Sequence, residues 1–274
     1  MDIFSIEVAS LVLALLVAGA LAGFLAGLFG IGGGAVLVPV LIGVLGFAGV
    51  APEHLMHVSV ATSLGVIVPT SLRSFSAHKA KGAVDLALLK SWILPIPAGV
   101  LLASLVAAQI SGDGLKGIFI AIAFCVALRM ILGKSTRTLG ADIPAGPLRA
   151  GIGVLIGFFS TLMGIGGGVM NNTFMTLYAR PIHQAVATSS GVGVLISIPG
   201  ALGMVWAGWG TPDLPPFSLG YVNLLAVAII IPMSLWLAPI GARLAHALPK
   251  RKMEIGFGVF LLLVCLRFAF SLLG

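Results

Sequence analysis

The chain consists of long apolar stretches separated by short polar or glycine-rich breaks. An α-helix needs about 20 apolar residues to cross a bilayer, and the longer stretches reach that length. The stretches form two sets of five, at about 8–29, 35–49, 54–75, 86–110 and 115–133, and at about 148–163, 168–179, 184–208, 219–247 and 253–273. The pattern predicts an all-α integral membrane protein with about five hydrophobic segments in each half.

The composition supports this class and excludes others. Hydrophobic residues make up 59% of the 274 residues and charged residues 8%, with a mean hydropathy of +1.18. A soluble domain carries about 25% charged residues, and a disordered chain has low hydrophobicity, so both are excluded, as is nucleic acid as the partner of this basic chain. Cys125 and Cys265 lie in apolar stretches, so neither a disulfide framework nor a metal or redox site is expected, and no cofactor is implied.

Two sequence motifs occur twice, once in each half. Gly30-Ile31-Gly32-Gly33-Gly34 recurs as Gly164-Ile165-Gly166-Gly167-Gly168, and the segment from His57 to Ser63 recurs as the segment from His183 to Ser189, which ends again in Ala-Thr-Ser. The duplication predicts a first membrane repeat at 1–133 and a second at 148–274, joined by a polar cytoplasmic linker at 134–147.

The positive charges predict how the repeats cross the membrane. Because each half has an odd number of segments, the second repeat must enter the bilayer from the opposite side, which makes the repeats inverted. Thirteen of the 15 Lys and Arg residues then fall on one side, at 73–90, 129–149, 180–183 and 243–252. Since cytoplasmic loops are enriched in these residues, both termini are expected outside. If the two segments joined by each glycine run instead form a re-entrant hairpin that returns to its own side, three spans remain in each half and the distribution of positive charges is the same.

Each glycine run interrupts an apolar segment and is followed by a short one. Consecutive glycines break helices, and a broken helix at membrane depth frees backbone N–H groups at the positive end of the next helix, where an anion can approach closely. The alternative is that the glycines only allow close helix packing. Their duplication favours a substrate site, whose candidate backbone contacts are Gly32, Gly33, Gly34, Gly166, Gly167 and Gly168.

The segment Gly27-Leu28-Phe29-Gly30-Ile31-Gly32-Gly33-Gly34-Ala35-Val36-Leu37-Val38-Pro39 resembles the motif of the sulfite exporter TauE/SafE family. Met163–Gly168, with Ala187-Thr188-Ser189, resembles its second copy, and the resemblance covers nearly the whole chain. It implies a bacterial inner-membrane transporter of sulfite, sulfoacetate or related organosulfur anions. The second copy departs from the family pattern, because Asn171-Asn172-Thr173 replaces Leu37-Val38-Pro39 of the first copy.

Polar side chains near the glycine runs are further candidates for the site. Asn171 and Asn172 carry NH₂ groups that donate well to sulfite or sulfonate oxygens, or they bond across helices. The hydroxyls of the repeated Thr-Ser pairs either face the glycine runs or bond back to their own helix. These pairs are Thr62 with Ser63 and Thr188 with Ser189.

His57 and His183 are the candidates for proton coupling. They occupy equivalent places near the start of the third segment of each half. Histidine titrates near neutral pH and is able to take up a proton during transport, or it caps a helix end at the interface.

Together these features predict a secondary transporter that exports a small sulfur-containing anion, with membrane lipid as its other partner. No ATP-binding motif occurs, so coupling to protons or sodium is expected. The alternatives are a passive anion channel and an importer of a sulfur anion such as thiosulfate. A membrane-embedded enzyme would need several carboxylates within the membrane, and the acidic residues lie near segment ends or in loops. A homodimer is compatible with the sequence, which contains no feature that decides it.

Overall fold

The computed structural model describes residues 6–29, 34–133, 139–140, 142–247 and 249–273. Within these residues the chain forms eleven helices and one two-stranded hairpin in the loop before α10, where β1 (Ser218–Leu219) pairs antiparallel with β2 (Val222–Asn223). The helices are α1 (Ile6–Phe29), α2 (Gly34–Phe47), α3 (Pro52–Ala80), α4 (Leu86–Ser91), α5 (Pro95–Ala107), α6 (Gly112–Leu132), α7 (Pro147–Leu162), α8 (Gly168–Leu177), α9 (Ile182–Ala207), α10 (Leu224–Ala247) and α11 (Lys250–Leu273).

The predicted segment at 86–110 is wrong as a single element, because it forms two helices. Asp85 begins the first of them: its carboxylate accepts a hydrogen bond from the Leu88 N–H (2.9 Å), and α4 ends after six residues. Pro95 then occupies the first position of α5, where a missing N–H costs nothing and the fixed φ of proline suits a helix start. The segment stays apolar across this break, so hydropathy alone does not reveal it.

The helices that follow the glycine runs are half-length. At 14 and 10 residues, α2 and α8 are about 21 and 15 Å long, against about 30 Å for the hydrocarbon core. Five helical segments among the described residues are long and apolar enough to cross it: Pro52–Ala80, Gly112–Leu132, Ile182–Ala207, Leu224–Gly241 and Arg251–Leu272. The structure is thus that of an all-α membrane protein, in which the second glycine run separates α7 from the half-length α8.

Helices of the first half pack mainly on helices of the second half. α1 lies along α10, α5 along α7, and α6 along α11. α3 and α9 form an antiparallel pair at the centre, where Ser71 Oγ lies 3.4 Å from Ser197 Oγ. These two serines are equivalent in the repeat, since they are 126 positions apart, like His57 and His183. The two halves are therefore interleaved in one bundle.

Repeated glycines allow the closest of these helix contacts. α1 carries Gly19 and Gly23, and α7 carries Gly153 and Gly157. A Cβ on Gly157 would overlap the Ile96 carbonyl group of α5, and one on Gly23 would lie 2.5 Å from the Ser234 Cα of α10. Small residues at four-residue spacing let two helix backbones approach in this way. These four glycines were not singled out in the sequence, although their spacing and repetition were visible there.

Candidate functional site

The second glycine run links α7 to α8 and is buried throughout. Gly164 and Gly167 adopt positive φ angles of 64° and 72°, which a residue with a Cβ rarely adopts. Gly167 immediately precedes α8, and its carbonyl accepts the first helical hydrogen bond, from the Asn171 N–H (2.8 Å). The three N–H groups before that bond, beginning at Gly168, have no acceptor within the helix. They form a buried, positively polarised helix end, which suits an anion.

The start of α2 contacts this run directly. A Cβ on Gly34 would lie 2.6 Å from the Gly164 carbonyl oxygen and 2.7 Å from the Ile165 Cα. The equivalent candidates Gly32 and Gly33 lie outside the described residues. The structure therefore brings the beginning of one half-length helix against the glycine run that leads into the other.

The second run lies beside the middle of the central helix pair. A Cβ on Gly166 would lie 3.2 Å from Ile67 on α3 and 3.5 Å from the Gly193 Cα on α9. Ile67 and Gly193 are each near the midpoint of their helices. The helix end at Gly168 thus begins at the centre of the bundle, at the depth where a substrate site in an inverted-repeat transporter is expected.

Two of the candidate hydroxyls bind the polar groups of the second half. Ser63 Oγ donates a hydrogen bond to the Gly164 carbonyl oxygen (2.7 Å) and so joins α3 to the glycine run. Asn171 Nδ2 donates to Ser189 Oγ (2.7 Å), whose hydroxyl donates in turn to Asn172 Oδ1 (2.7 Å). Asn171 is fully buried, and its Oδ1 has no hydrogen-bond partner among the described residues. Three of the four binding side chains predicted for the second half, Asn171, Asn172 and Ser189, therefore form one connected cluster, which does not include Thr188.

The Ser63 and Ser189 clusters are separate. Each serine lies eight positions before the Ser71–Ser197 contact on its own helix. Because α3 and α9 run antiparallel, the two serines lie on opposite sides of that contact, about 24 Å apart along the helix axes. The second glycine run extends from the Ser63 cluster towards the Ser189 cluster, with the start of α8 between them.

The remaining candidate hydroxyls accept backbone hydrogen bonds across the halves. Thr62 Oγ1 accepts from the Asn223 N–H (3.0 Å), and Thr188 Oγ1 accepts from the Asp85 N–H (2.9 Å). Asp85 and Asn223 were missed in the sequence, although an Asp or Asn before an apolar run is a known helix-start pattern.

The two candidate histidines have different environments. His57 is buried, its Nε2 donates to the Ala107 carbonyl (3.0 Å), and its ring stacks on Tyr221 with centroids 4.8 Å apart. Its Nδ1 has no hydrogen-bond partner in the described part of the chain. His183 is exposed at the start of α9. The repeat thus places equivalent histidines in one buried and one exposed position.

Three known proteins are similar to the chain over most of its length. The chain is 35% identical over 257 residues to a probable membrane transporter protein of Haemophilus influenzae, covering 93% of this chain and 97% of that one. It is 29% identical over 245 residues to a probable membrane transporter protein of Methanocaldococcus jannaschii, covering 88% and 89% of the two chains. It is 24% identical over 269 residues to a probable membrane transporter protein of Bacillus subtilis, covering 91% of this chain and 94% of that one.

No solved structure matches the chain. A family model described as sulfite exporter TauE/SafE matches residues 15–268, which include every described glycine, amide and hydroxyl of the candidate site. Together with the relative that is 35% identical, this match over nearly the whole chain shows that the protein belongs to the sulfite exporter TauE/SafE family of membrane transporters.

Proposed function

We propose that the protein is a secondary transporter that exports a small sulfur-containing anion, such as sulfite, sulfoacetate or a related organosulfonate, across the bacterial inner membrane. The observation that carries the proposal is the contact between the start of α2 and the glycine run before α8, at the centre of the bundle. Two helix N-termini supply backbone donors and positive dipole ends to one small region. The description of the matched family supports a sulfur oxyanion as the substrate.

The proposed site binds its anion with dipoles alone. Oxygen atoms of sulfite and sulfonate groups accept hydrogen bonds from backbone N–H, amide NH₂ and hydroxyl groups. Such donors act strongly where water is excluded, so an anion need not meet a buried Lys or Arg. The proposed contacts with the anion are Gly32, Gly33, Gly34, Gly166, Gly167, Gly168, Asn171 and Asn172. Ser63 and Ser189 are proposed to line its path on the two sides of the centre, and Thr62 and Thr188 lie one residue farther out, where each accepts a backbone hydrogen bond.

The helix pairs support inverted repeats and alternating access. α1 on α10 and α7 on α5 are equivalent pairings with the two halves exchanged, and the pairs α3–α9 and α6–α11 each join equivalent helices. An axis that exchanges the halves would pass near Ser71 and Ser197. With the clustering of Lys and Arg on one side, this arrangement supports an orientation with both termini in the periplasm.

A proton is the coupling ion that the polar residues support best, with sodium as the alternative. His57 is buried and has a ring nitrogen available for a proton, whereas His183 is exposed. The titratable groups facing His57 are His54 on its own helix and Tyr221 from the loop before α10, and Glu53 lies beside His54. We therefore propose His57 as the proton carrier.

His57→Gln is expected to flatten the pH dependence of flux, because glutamine still reaches the Ala107 carbonyl but does not titrate. His183→Gln serves as the matched control, since its side chain is exposed and its loss is expected to leave the pH profile intact. Flux into proteoliposomes would be measured across neutral pH. Unchanged profiles in both single variants and in the double variant would contradict proton uptake at these histidines.

Transport itself is tested by uptake into proteoliposomes with a panel of sulfite, thiosulfate, sulfoacetate, taurine and carboxylate analogues. A carrier of sulfur anions is expected to give saturable flux and to exchange one sulfur anion for another. Ohmic single-channel current would show an anion channel, and coupled accumulation in the opposite direction would show an importer. Saturable flux of carboxylates alone would contradict the proposed substrate class.

Asn171→Leu and Asn172→Leu are each expected to change the ranking of anions in this panel more than the overall flux. Leucine keeps the size of the side chain and removes its NH₂ donor and its hydrogen bond to Ser189. Thr176→Val is the matched control, because Thr176 is on the same helix and, among the described residues, its hydroxyl bonds to carbonyls of its own helix. If all three variants keep the wild-type ranking, the amides are structural.

A further inference from the structure

Two equivalent hydrogen bonds join the halves at equivalent places. In the Thr62 latch, Thr62 Oγ1 accepts the Asn223 N–H (3.0 Å), and Asn223 Oδ1 accepts the Ala226 N–H at the start of α10 (2.9 Å). In the Thr188 latch, Thr188 Oγ1 accepts the Asp85 N–H (2.9 Å), and the Asp85 carboxylate caps α4. In each latch, a threonine of one half thus holds the residue that begins a helix of the other half.

The latches lie on opposite sides of the bundle centre. Thr62 and Thr188 are each nine positions before the Ser71–Ser197 contact on antiparallel helices. Each therefore lies about 13 Å from that contact along its helix, in opposite directions. The proposed substrate site lies between them, because the residue after each threonine, Ser63 or Ser189, bonds to the glycine run or to the amides.

We propose that the Thr62 latch and the Thr188 latch are the closing contacts of the two ends of the transport pathway. The inference rests on the proposed alternating access, in which one end opens while the other stays closed. The contact that closes one end must then be able to break while the contact at the other end stays formed. A single hydrogen bond to a loop residue of the opposite half can do this. Both hydrogen bonds are formed in this structure, which in this proposal corresponds to the closed state of each end.

The two latches differ in how firmly the partner residue is held. Asn223 Nδ2 donates to the Pro216 carbonyl (2.9 Å) and to Ser218 Oγ (3.2 Å), which ties the Thr62 latch to the loop before α10. Asp85 holds the Thr188 latch with its backbone N–H and the cap of α4. The Thr188 latch therefore has fewer bonds to lose and opens more readily.

The test follows the accessibility of one cysteine at the bundle centre without substrate. The reporter is Ser71→Cys in a chain carrying Cys125→Ser and Cys265→Ser, because Ser71 is buried between the latches. An impermeant thiol reagent is added to right-side-out vesicles or to inverted vesicles. Thr62→Val is expected to raise labelling about tenfold from the periplasmic face, and Thr188→Val from the cytoplasmic face, because valine keeps the shape but not the acceptor.

Thr62→Ser and Thr188→Ser are the matched controls, since serine keeps the hydroxyl, and both are expected to label like the parent. If a valine variant does not purify as a single species, the alanine variant replaces it. Unchanged labelling in both valine variants, or increases from the same face, would overturn the latches. If Thr62→Val raises labelling from the cytoplasmic face and Thr188→Val raises it from the periplasmic face, the result would support the latches and reverse the proposed orientation. Failure of transport in proteoliposomes is a separate result, because this labelling needs no substrate.

Discussion

Gly167→Ala is expected to weaken anion binding at least about tenfold, or about 1.4 kcal/mol. Gly167 has a φ of +72°, where a Cβ costs about 1–2 kcal/mol. The new methyl group would also lie 2.6 Å from Ile196 Cδ1 and 2.8 Å from Val192 Cγ1, so the run before α8 must shift. The displaced helix end then presents its N–H groups in the wrong place. Calorimetric titration of the purified protein with sulfite measures the change, and the repeat predicts the same result for Gly33→Ala.

Gly82→Ala separates backbone strain from damage to the site. Gly82 has a similar φ of +65°, but no described atom lies within 4 Å of its would-be Cβ, and it lies in the loop between α3 and α4. It is expected to lower stability slightly and to leave binding unchanged. If Gly167→Ala and Gly33→Ala bind like the wild type, the glycine runs are packing devices, and the site must be sought near the Thr-Ser pairs.

Gly157→Val is expected to lower the free energy of unfolding by about 3 kcal/mol, because a side chain there overlaps the backbone of α5 at Ile96. Overlap with backbone is hard to relieve, so the α5–α7 pair must separate. A loss of this size corresponds to a midpoint about 6–12 °C lower for a chain of this length. Thermal unfolding in detergent, followed by a fluorescent thiol probe or by circular dichroism, measures the shift.

Gly151→Val is the control for this substitution. Gly151 is on the same helix and is exposed, and no described atom lies within 4 Å of its would-be Cβ. The intrinsic cost of valine in a helix is the same at both positions, so any difference between the variants reports the α5–α7 contact. Equal midpoints would contradict the close packing of these helices.

The elements that the sequence predicts well are those defined by length and hydropathy. A long apolar run has few alternatives to a membrane helix, and consecutive glycines disfavour the continuation of such a helix, as the described run at 164–168 illustrates. The division of the stretch at 86–110 escaped prediction because Pro95 and Pro97 are apolar and keep the run continuous. Hydropathy reports burial in lipid but carries no information on where a chain turns within it.

Of the candidate site, the sequence predicted the side chains that contact one another but not the backbone groups that contact the threonines. Ser189 belongs to the repeated Ala-Thr-Ser segment, whereas Asn171 is a polar side chain shortly after the second glycine run, at the place where the first copy has Leu37. Both were candidates for the site, and a hydrogen bond joins them. Asp85 and Asn223 act on the threonines through their backbone N–H groups, which every residue except proline possesses. Such a contact depends on the fold rather than on residue type, so no side-chain motif predicts it.

The interleaving of the halves has a consequence for biosynthesis. α1 ends at Phe29, but its partner α10 begins at Leu224, whereas α5 and α7 are separated only by α6 and the linker. At about 5–20 residues per second, α1 waits on the order of 10–40 s in the bilayer for its partner. During that interval the groove at Gly19 and Gly23 faces lipid or the insertion machinery. The first half is therefore fully synthesised well before its helices have all their packing partners, and assembly of the bundle depends on the last two helices, α10 and α11.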